Sequence, residues 1–264
     1  MVDIEKAVRD VLKELENQPA DSAPVTPTTP VTTTPTKTYN VPGSLEHSLL
    51  TVDMTTDALL AECRMARNCR IAAVCVAPYY VADAVSILRG SSVSVCAAIG
   101  FPNAFMTTEA KNADVRTSIM LGAAEIDLAI NVAAVKSGDI AKAEKDFVNA
   151  AQPARGKAVV KAVIEHGSYD EHEFESVLQM IGRNNIPYIK IQNMTSGHGA
   201  RVHEINRVRN ILGDKVKIKI DGGVKSLEHA LELLRAGADR IGLTATKKVA
   251  EEALSIETGG TKVD

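Results

Sequence analysis

The chain has 264 residues, a formal net charge of -3 and 45% hydrophobic residues. That composition suits one large core and supplies no basic field to draw nucleic acid. Aromatics are only 3% and tryptophan is absent, so Ala, Val, Ile and Leu must do the packing, as in parallel sheets covered on both faces. No apolar run reaches membrane-spanning length and the N-terminus lacks the uncharged core of a signal peptide, so the expectation is a cytoplasmic protein with no membrane partner.

The first element is an amphipathic helix over residues 1–18. Ile4, Val8, Val11, Leu12 and Leu15 recur at helical spacing, and acidic and basic residues fill the opposite face. Residues 19–40 then change character: prolines at 19, 24, 27, 30 and 35 alternate with threonines. Such a stretch cannot bury a core and reads as a flexible tether. The main body is expected over residues 41–264, with the helix held away from it.

From there strand and helix signals alternate. Strands are predicted at 45–50, 71–77, 93–100, 125–131, 159–165, 187–192, 215–221 and 239–243. Helices are predicted at 55–68, 80–90, 107–121, 139–153, 170–183, 200–212, 226–236 and 246–256. Eight βα units in about 215 residues indicate a (β/α)8 TIM barrel. The competing architecture is a doubly wound open sheet, which would carry a Gly-rich turn after its first strand; none is present.

Strand parity points to chemistry. One face of each later strand is apolar: Ile126, Leu128 and Ile130, then Val160, Ala162 and Ile164, then Ile189 and Ile191, then Val216, Ile218 and Ile220. The other face carries Glu125, Asp127, Lys161, Glu165, Lys190, Gln192, Lys217, Lys219 and Asp221. The apolar face should meet the helices and the polar face should line the barrel. Buried lysines are costly because desolvation opposes their charge. One reading is a structural charge network, to which Glu125 and Lys217 near the strand starts are assigned. The other is an amine nucleophile. A free lysine is almost wholly protonated at neutral pH, but burial and a second ammonium lower its pKa. Lys190 and Lys219 on neighbouring strands offer that pairing, and Asp127 is placed to move protons.

Anion-binding cues follow the last two strands. Asp221-Gly222-Gly223-Val224-Lys225-Ser226 and Ile241-Gly242-Leu243-Thr244-Ala245-Thr246 each precede a helix. Glycines before a helix N-terminus let backbone N–H groups approach an anion, and barrels often hold phosphate at these two loops. No His, Cys and Asp cluster has metal-ligand spacing; His47, His198 and His203 read as surface or polar-contact residues. Cys63, Cys69, Cys75 and Cys96 form no CxxC pair and read as buried reduced thiols.

Taken as a set, Glu46-His-Ser-Leu-Leu50, Val74-Cys-Val-Ala-Pro-Tyr79, Ile99-Gly-Phe-Pro102, Thr107-Thr-Glu109, Gly122-Ala-Ala-Glu-Ile-Asp127, Ile130-Asn131, Lys136-Ser-Gly138, Lys161-Ala-Val-Ile-Glu165, Ile189-Lys190, Lys219 with Gly222-Gly223, and Ala236-Gly-Ala-Asp-Arg-Ile-Gly242 resemble the deoxyribose-phosphate aldolases. The resemblance spans residues 44–256 in order. It implies a class I aldolase on a (β/α)8 barrel that needs no cofactor and no metal. It implies Lys190 as the Schiff-base lysine, Lys219 as the lysine that perturbs it and Asp127 as the proton-relay acid. Lys161 would line the pocket. The two anion-binding loops, with Gly222, Gly223, Lys225, Gly242 and Thr244, are expected to bind substrate. The implied partners are a small phosphorylated sugar and a short aldehyde, with a homodimer as the assembly. Four positions depart from that pattern. Glu46-His47-Ser48 stands for Asp-His-Thr, and Ile191-Gln192-Asn193-Met194 for Thr-Ser-Thr-Gly. Asp221 stands for a small residue, and Leu243-Thr244-Ala245 for Thr-Ser-Ser. All four fall on the substrate side of the pocket. Asp221 adds a negative charge beside the expected phosphate loop, which should weaken a dianion unless Lys225 or Lys219 offsets it.

Residues 1–38 are not needed for aldolase chemistry. The helix and Pro/Thr tether resemble the encapsulation peptides that draw enzymes into bacterial microcompartments, the stripe docking on a shell or cargo protein. That implies a microcompartment lumen as the location. The alternatives are a lysine aldolase for another aldehyde or phosphosugar, and a catalytically silent barrel serving as a binding or assembly module.

Overall fold

Eight parallel strands hydrogen-bond in sequence order and the last returns to the first, closing a barrel: β1 Leu45–Leu49, β2 Ala73–Val76, β3 Ser94–Ile99, β4 Glu125–Ala129, β5 Val159–Glu165, β6 Tyr188–Gln192, β7 Lys217–Asp221 and β8 Arg240–Leu243. The structure is a computed structural model and describes residues 39–193 and 199–259. The barrel is one contact unit from Tyr39 onward. The helix expected at 1–18, the tether up to residue 38 and the position of His198 lie outside the described residues.

Helices cover the barrel after each strand, and their starts are written in the sequence. Thr55 caps the helix Thr56–Asn68 by accepting from the Ala58 N–H at 3.2 Å. Thr107 does the same for Thr108–Met120. Asp170 and Glu173 form a reciprocal capping box at the start of Glu171–Arg183. Each side-chain oxygen satisfies a backbone N–H that the first helical turn leaves without a partner. The alternation read from the strands holds. Ile126, Leu128, Ala162, Ile164, Ile189 and Ile218 join one large apolar core under the helices. The barrel interior is polar from Glu46 through Asp127, Lys161, Lys190, Lys219 and Asp221, all buried.

Register decides which interior residues meet. Asp127 lies opposite Lys161 between β4 and β5, Lys190 opposite Lys219 between β6 and β7, and Asp221 opposite Gly242 between β7 and β8. Two elements differ from expectation. A five-residue helix, Val132–Lys136, follows β4; its span is too short for an apolar stripe to register. Lys217, read as an interior network residue, is exposed, because the first residue of β7 sits at the barrel's lower rim, where the side chain reaches water. One further buried lysine was not anticipated. Lys111 pairs with Asp146 outside the barrel and donates to the Ala129 carbonyl at 3.3 Å. His47 is a polar-contact residue, bridging Thr246 Oγ1 at 2.7 Å and Glu62 at 3.1 Å. His203 is exposed and the four cysteines are buried and unpaired.

Candidate active site

Asp127 organises the interior. Its Oδ1 is 2.9 Å from Lys161 Nζ, and its Oδ2 is 2.9 Å from Lys219 Nζ and 3.1 Å from Lys190 Nζ. The Cys96 thiol donates to Oδ1 at 3.1 Å and the Cys75 thiol to Oδ2 at 3.6 Å. Burial alone would raise this carboxyl, but Lys161, Lys219 and Lys190 outweigh it and hold Asp127 well below the usual carboxylate range. It is an ionised hub.

Below the hub, Lys161 pairs with Glu125 at 2.5 Å and Glu46 at 3.4 Å, and Lys219 pairs with Glu46. Arg240 bridges Glu46 at 3.0 Å and Glu125 at 2.5 Å. Lys161 Nζ and Arg240 Cζ stand 5.7 Å and 5.9 Å from the Tyr188 ring centre. Burial raises the Glu46 carboxyl, but Lys161 and Lys219 win and set it at about 2, against an ordinary 4.5. Its folded-state pKa is depressed, so its stabilisation is complete above the unfolded value and is lost as pH falls through the folded one. The shift corresponds to roughly 3 kcal/mol. The stability gap between wild type and Glu46→Gln should therefore narrow as pH drops from about 4.5 to about 2. Denaturant titrations at stepped pH measure it; a constant gap contradicts the ion-pair assignment.

Above the hub lies the mouth. Lys190 Nζ is 2.7 Å from Asp221 Oδ2, and Lys219 Nζ is 3.7 Å from Asp221 Oδ1. The amine opens on a cavity of about 300 Å³ lined by Lys190, Gln192, Asp221, Gly222, Gly223, Lys225, Gly242 and Thr244. Gly222 and Gly223 have positive φ, and a side chain on Gly223 would stand 3.0 Å from Gly199 Cα, so the turn needs both glycines. The helix after this turn starts only at Leu227, capped by Ser226; the helix after β8 starts at Thr246, two residues past Thr244. Gln192 donates to Glu165 at 3.1 Å.

The structure thus brings Lys190, Lys219, Asp127 and Lys161 together and puts Gly222, Gly223, Lys225, Gly242 and Thr244 around the same cavity. Lys161 was expected to line the pocket, but its ammonium lies behind Asp127, between Glu125 and Glu46, and is not among the residues lining the cavity. A second expectation also fails. Lys219 was expected to leave Lys190 uncharged. Burial and Lys219 do push the amine down, but Asp221 and Asp127 push it up further, and the net shift is upward. Arg240, Cys75 and Cys96 join the site without having been expected there, and Glu46, expected on the substrate side of the pocket, lies below the hub. Their signal was the same alternation, in Leu45-Glu46-His47-Ser48-Leu49, Val74-Cys75-Val76, Val95-Cys96-Ala97 and Asp239-Arg240-Ile241. Glu46, Cys75, Cys96 and Asp127 also converge within 4.8 Å, a spacing that could ligate a metal. Here the lysine ammoniums occupy the carboxylate oxygens, and burial pushes the Cys96 thiol well above its ordinary value. A cation would have to displace those ammoniums, so the donor set fits lysine rather than metal.

Comparison with known proteins gives a consistent pattern. A deoxyribose-phosphate aldolase of Geobacillus sp. (strain WCH70) is 34% identical over 212 residues, covering 80% of this chain and 95% of the relative. One from Alkaliphilus oremlandii is 36% identical over 213 residues, covering 81% and 96%. Among solved structures, the aldolase QR15 superposes with a TM-score of 0.79 at 26% identity, over 84% of this chain and 99% of that one. The tetrameric deoxyribose phosphate aldolase of Aeropyrum pernix shares the fold, with a TM-score of 0.72 at 22% identity over 82% and 92%. A family model described as a histidine biosynthesis protein matches residues 148–257, from the end of the helix before β5 into the helix after β8.

Proposed function

This chain belongs to the deoxyribose-phosphate aldolase family and is a carbon–carbon lyase; from that premise we propose that it works as a class I aldolase with Lys190 as its Schiff-base residue. The observation that carries this is the pair of amines, Lys190 and Lys219, sharing Asp127 Oδ2, with Lys190 the one that lines the cavity. In this reading Lys190 loses a proton and attacks the aldehyde carbon of an open-chain 2-deoxyribose 5-phosphate. Water leaves and a protonated imine forms. Asp127, through a water, takes the C3 hydroxyl proton as the C2–C3 bond breaks. Glyceraldehyde 3-phosphate departs, and the enamine is protonated and hydrolysed to acetaldehyde. The imine is the electron sink, so the scheme uses no cofactor. Lys225, Thr244 and the turn at Gly222 and Gly223 would take the phosphate.

The test is borohydride trapping with acetaldehyde followed by peptide mapping. Label on Lys190 supports the reading, and label elsewhere or none sinks it. A second reading, a lysine aldolase for a different aldehyde or phosphosugar, is favoured by Asp221, whose carboxylate faces the cavity that a phosphate dianion would enter. Cleavage rates on a panel of phosphorylated and unphosphorylated sugars separate the two.

The same proposal includes a homodimer, in keeping with the oligomeric Aeropyrum pernix relative, and a role as cytoplasmic microcompartment cargo. Cargo function rests on the apolar stripe of residues 1–18 and the Pro/Thr tether of residues 19–40, and it suits a reaction that releases a volatile, reactive aldehyde. A fluorescent protein carrying residues 1–38 should co-localise with an assembled shell; a diffuse signal removes the targeting role.

A further inference from the structure

We propose that Asp221 is the counter-ion of the nucleophilic amine, and that it restrains imine formation at neutral pH by holding Lys190 as an ammonium. This rests on the reading of Lys190 as the Schiff-base lysine. The geometry is direct. Asp221 Oδ2 stands 2.7 Å from Lys190 Nζ, a closer approach than the 3.1 Å from Asp127. Asp221 is buried, and among the described residues its Oδ1 has no hydrogen-bond partner. Among the described residues no backbone N–H caps the carboxylate; its ion-pair partners are Lys190 at 2.7 Å and, more distantly, Lys219 at 3.7 Å.

The neighbouring strand makes room for it. A Cβ on Gly242 would stand 1.6 Å from Asp221 Oδ1, so the carboxylate occupies space that only a glycine on β8 leaves free. Charge counting explains the consequence. Around the amine stand Glu46 from β1, Asp127 and Glu125 from β4, Lys161 from β5, Lys219 and Asp221 from β7 and Arg240 from β8, while Glu165 at the end of β5 is buried against Gln192 outside this ion-paired cluster. The Cys75 thiol on β2 and Cys96 thiol on β3 face the same hub, and Lys225 lines the mouth. With Lys190 charged, four cations (Lys161, Lys190, Lys219 and Arg240) meet four carboxylates (Glu46, Glu125, Asp127 and Asp221). Without Asp221 the cluster carries one excess positive charge, and the amine that can lose its proton to the cavity is Lys190. Asp221 cancels the excess that would otherwise make that amine a nucleophile. The upward shift of Lys190, with Asp221 the strongest upward influence, agrees.

The experiment compares the full-length protein with Asp221→Asn and Asp221→Ser, the second being the smaller residue should the amide pack poorly. Each is incubated with acetaldehyde and borohydride between about pH 6 and about pH 10, and the modified Lys190 peptide is quantified by mass. Both variants should gain their label at least about one pH unit lower than wild type, with about tenfold more label at pH 7. Label on Lys190 with coincident pH profiles in all three proteins overturns the counter-ion role and leaves the Schiff base standing. No label on Lys190 in any protein at any pH overturns both.

Discussion

Lys190→Ala should eliminate borohydride-trappable adduct and lower aldol cleavage by on the order of 10⁴-fold or more, since removing a covalent nucleophile takes away every step that depends on it. Lys219 cannot substitute. Its Nζ is held by Glu46 and by Asp127 Oδ2 at 2.9 Å, and it does not line the cavity. Lys161 lies deeper still, between Asp127, Glu125 and Glu46. The same variant leaves Asp221 without its 2.7 Å partner, so a modest loss of stability accompanies the loss of activity. Thermal melts separate the two effects. A folded Lys190→Ala protein that retains wild-type turnover would remove the Schiff-base mechanism.

Asp127→Asn should combine a large loss of stability with a large loss of activity. The carboxylate faces three ammoniums at 2.9, 2.9 and 3.1 Å. An asparagine accepts with one oxygen and turns an NH₂ group toward the other side, where Lys190 and Lys219 also donate. The buried cluster is left with one excess positive charge and an N–H facing ammonium. Breaking a buried ion pair from one side costs about 3–5 kcal/mol, which for a domain of this size lowers the melting temperature by roughly 6–20 °C. Cleavage should fall by about 10²–10⁴-fold, the usual contribution of a positioned proton-transfer group. Calorimetry and a cleavage assay read both; a melting point within about 2 °C of wild type contradicts the hub described here.

Much of this site was legible in the chain. Alternation in Lys161-Ala162-Val163-Ile164 and Lys217-Ile218-Lys219-Ile220 separates a helix-facing side from an interior side, because successive side chains of a strand point to opposite faces. That placed Asp127, Lys161, Lys190 and Lys219 indoors. It misplaced Lys217, since parity says which face a residue takes but not how far along the barrel it sits. It also could not weigh Asp221. In the sequence that residue belongs to the turn with Gly222 and Gly223, and its charge was read against a phosphate. Only the register of β6, β7 and β8 lays its carboxylate on the Lys190 amine and against Gly242.

The amino-acid order alone therefore determined the eight βα units, the apolar and polar faces of each strand and the set of ionisable residues enclosed, because those follow from backbone periodicity and from the cost of exposing Val, Ile and Leu to water. Tertiary structure decided the partners. Closure of β8 onto β1 brought Arg240 and Lys219 to Glu46, and the stagger of β7 set Asp221 beside Lys190. Protonation of an amine depends on charges a few ångströms away, and those distances exist only once the barrel has closed.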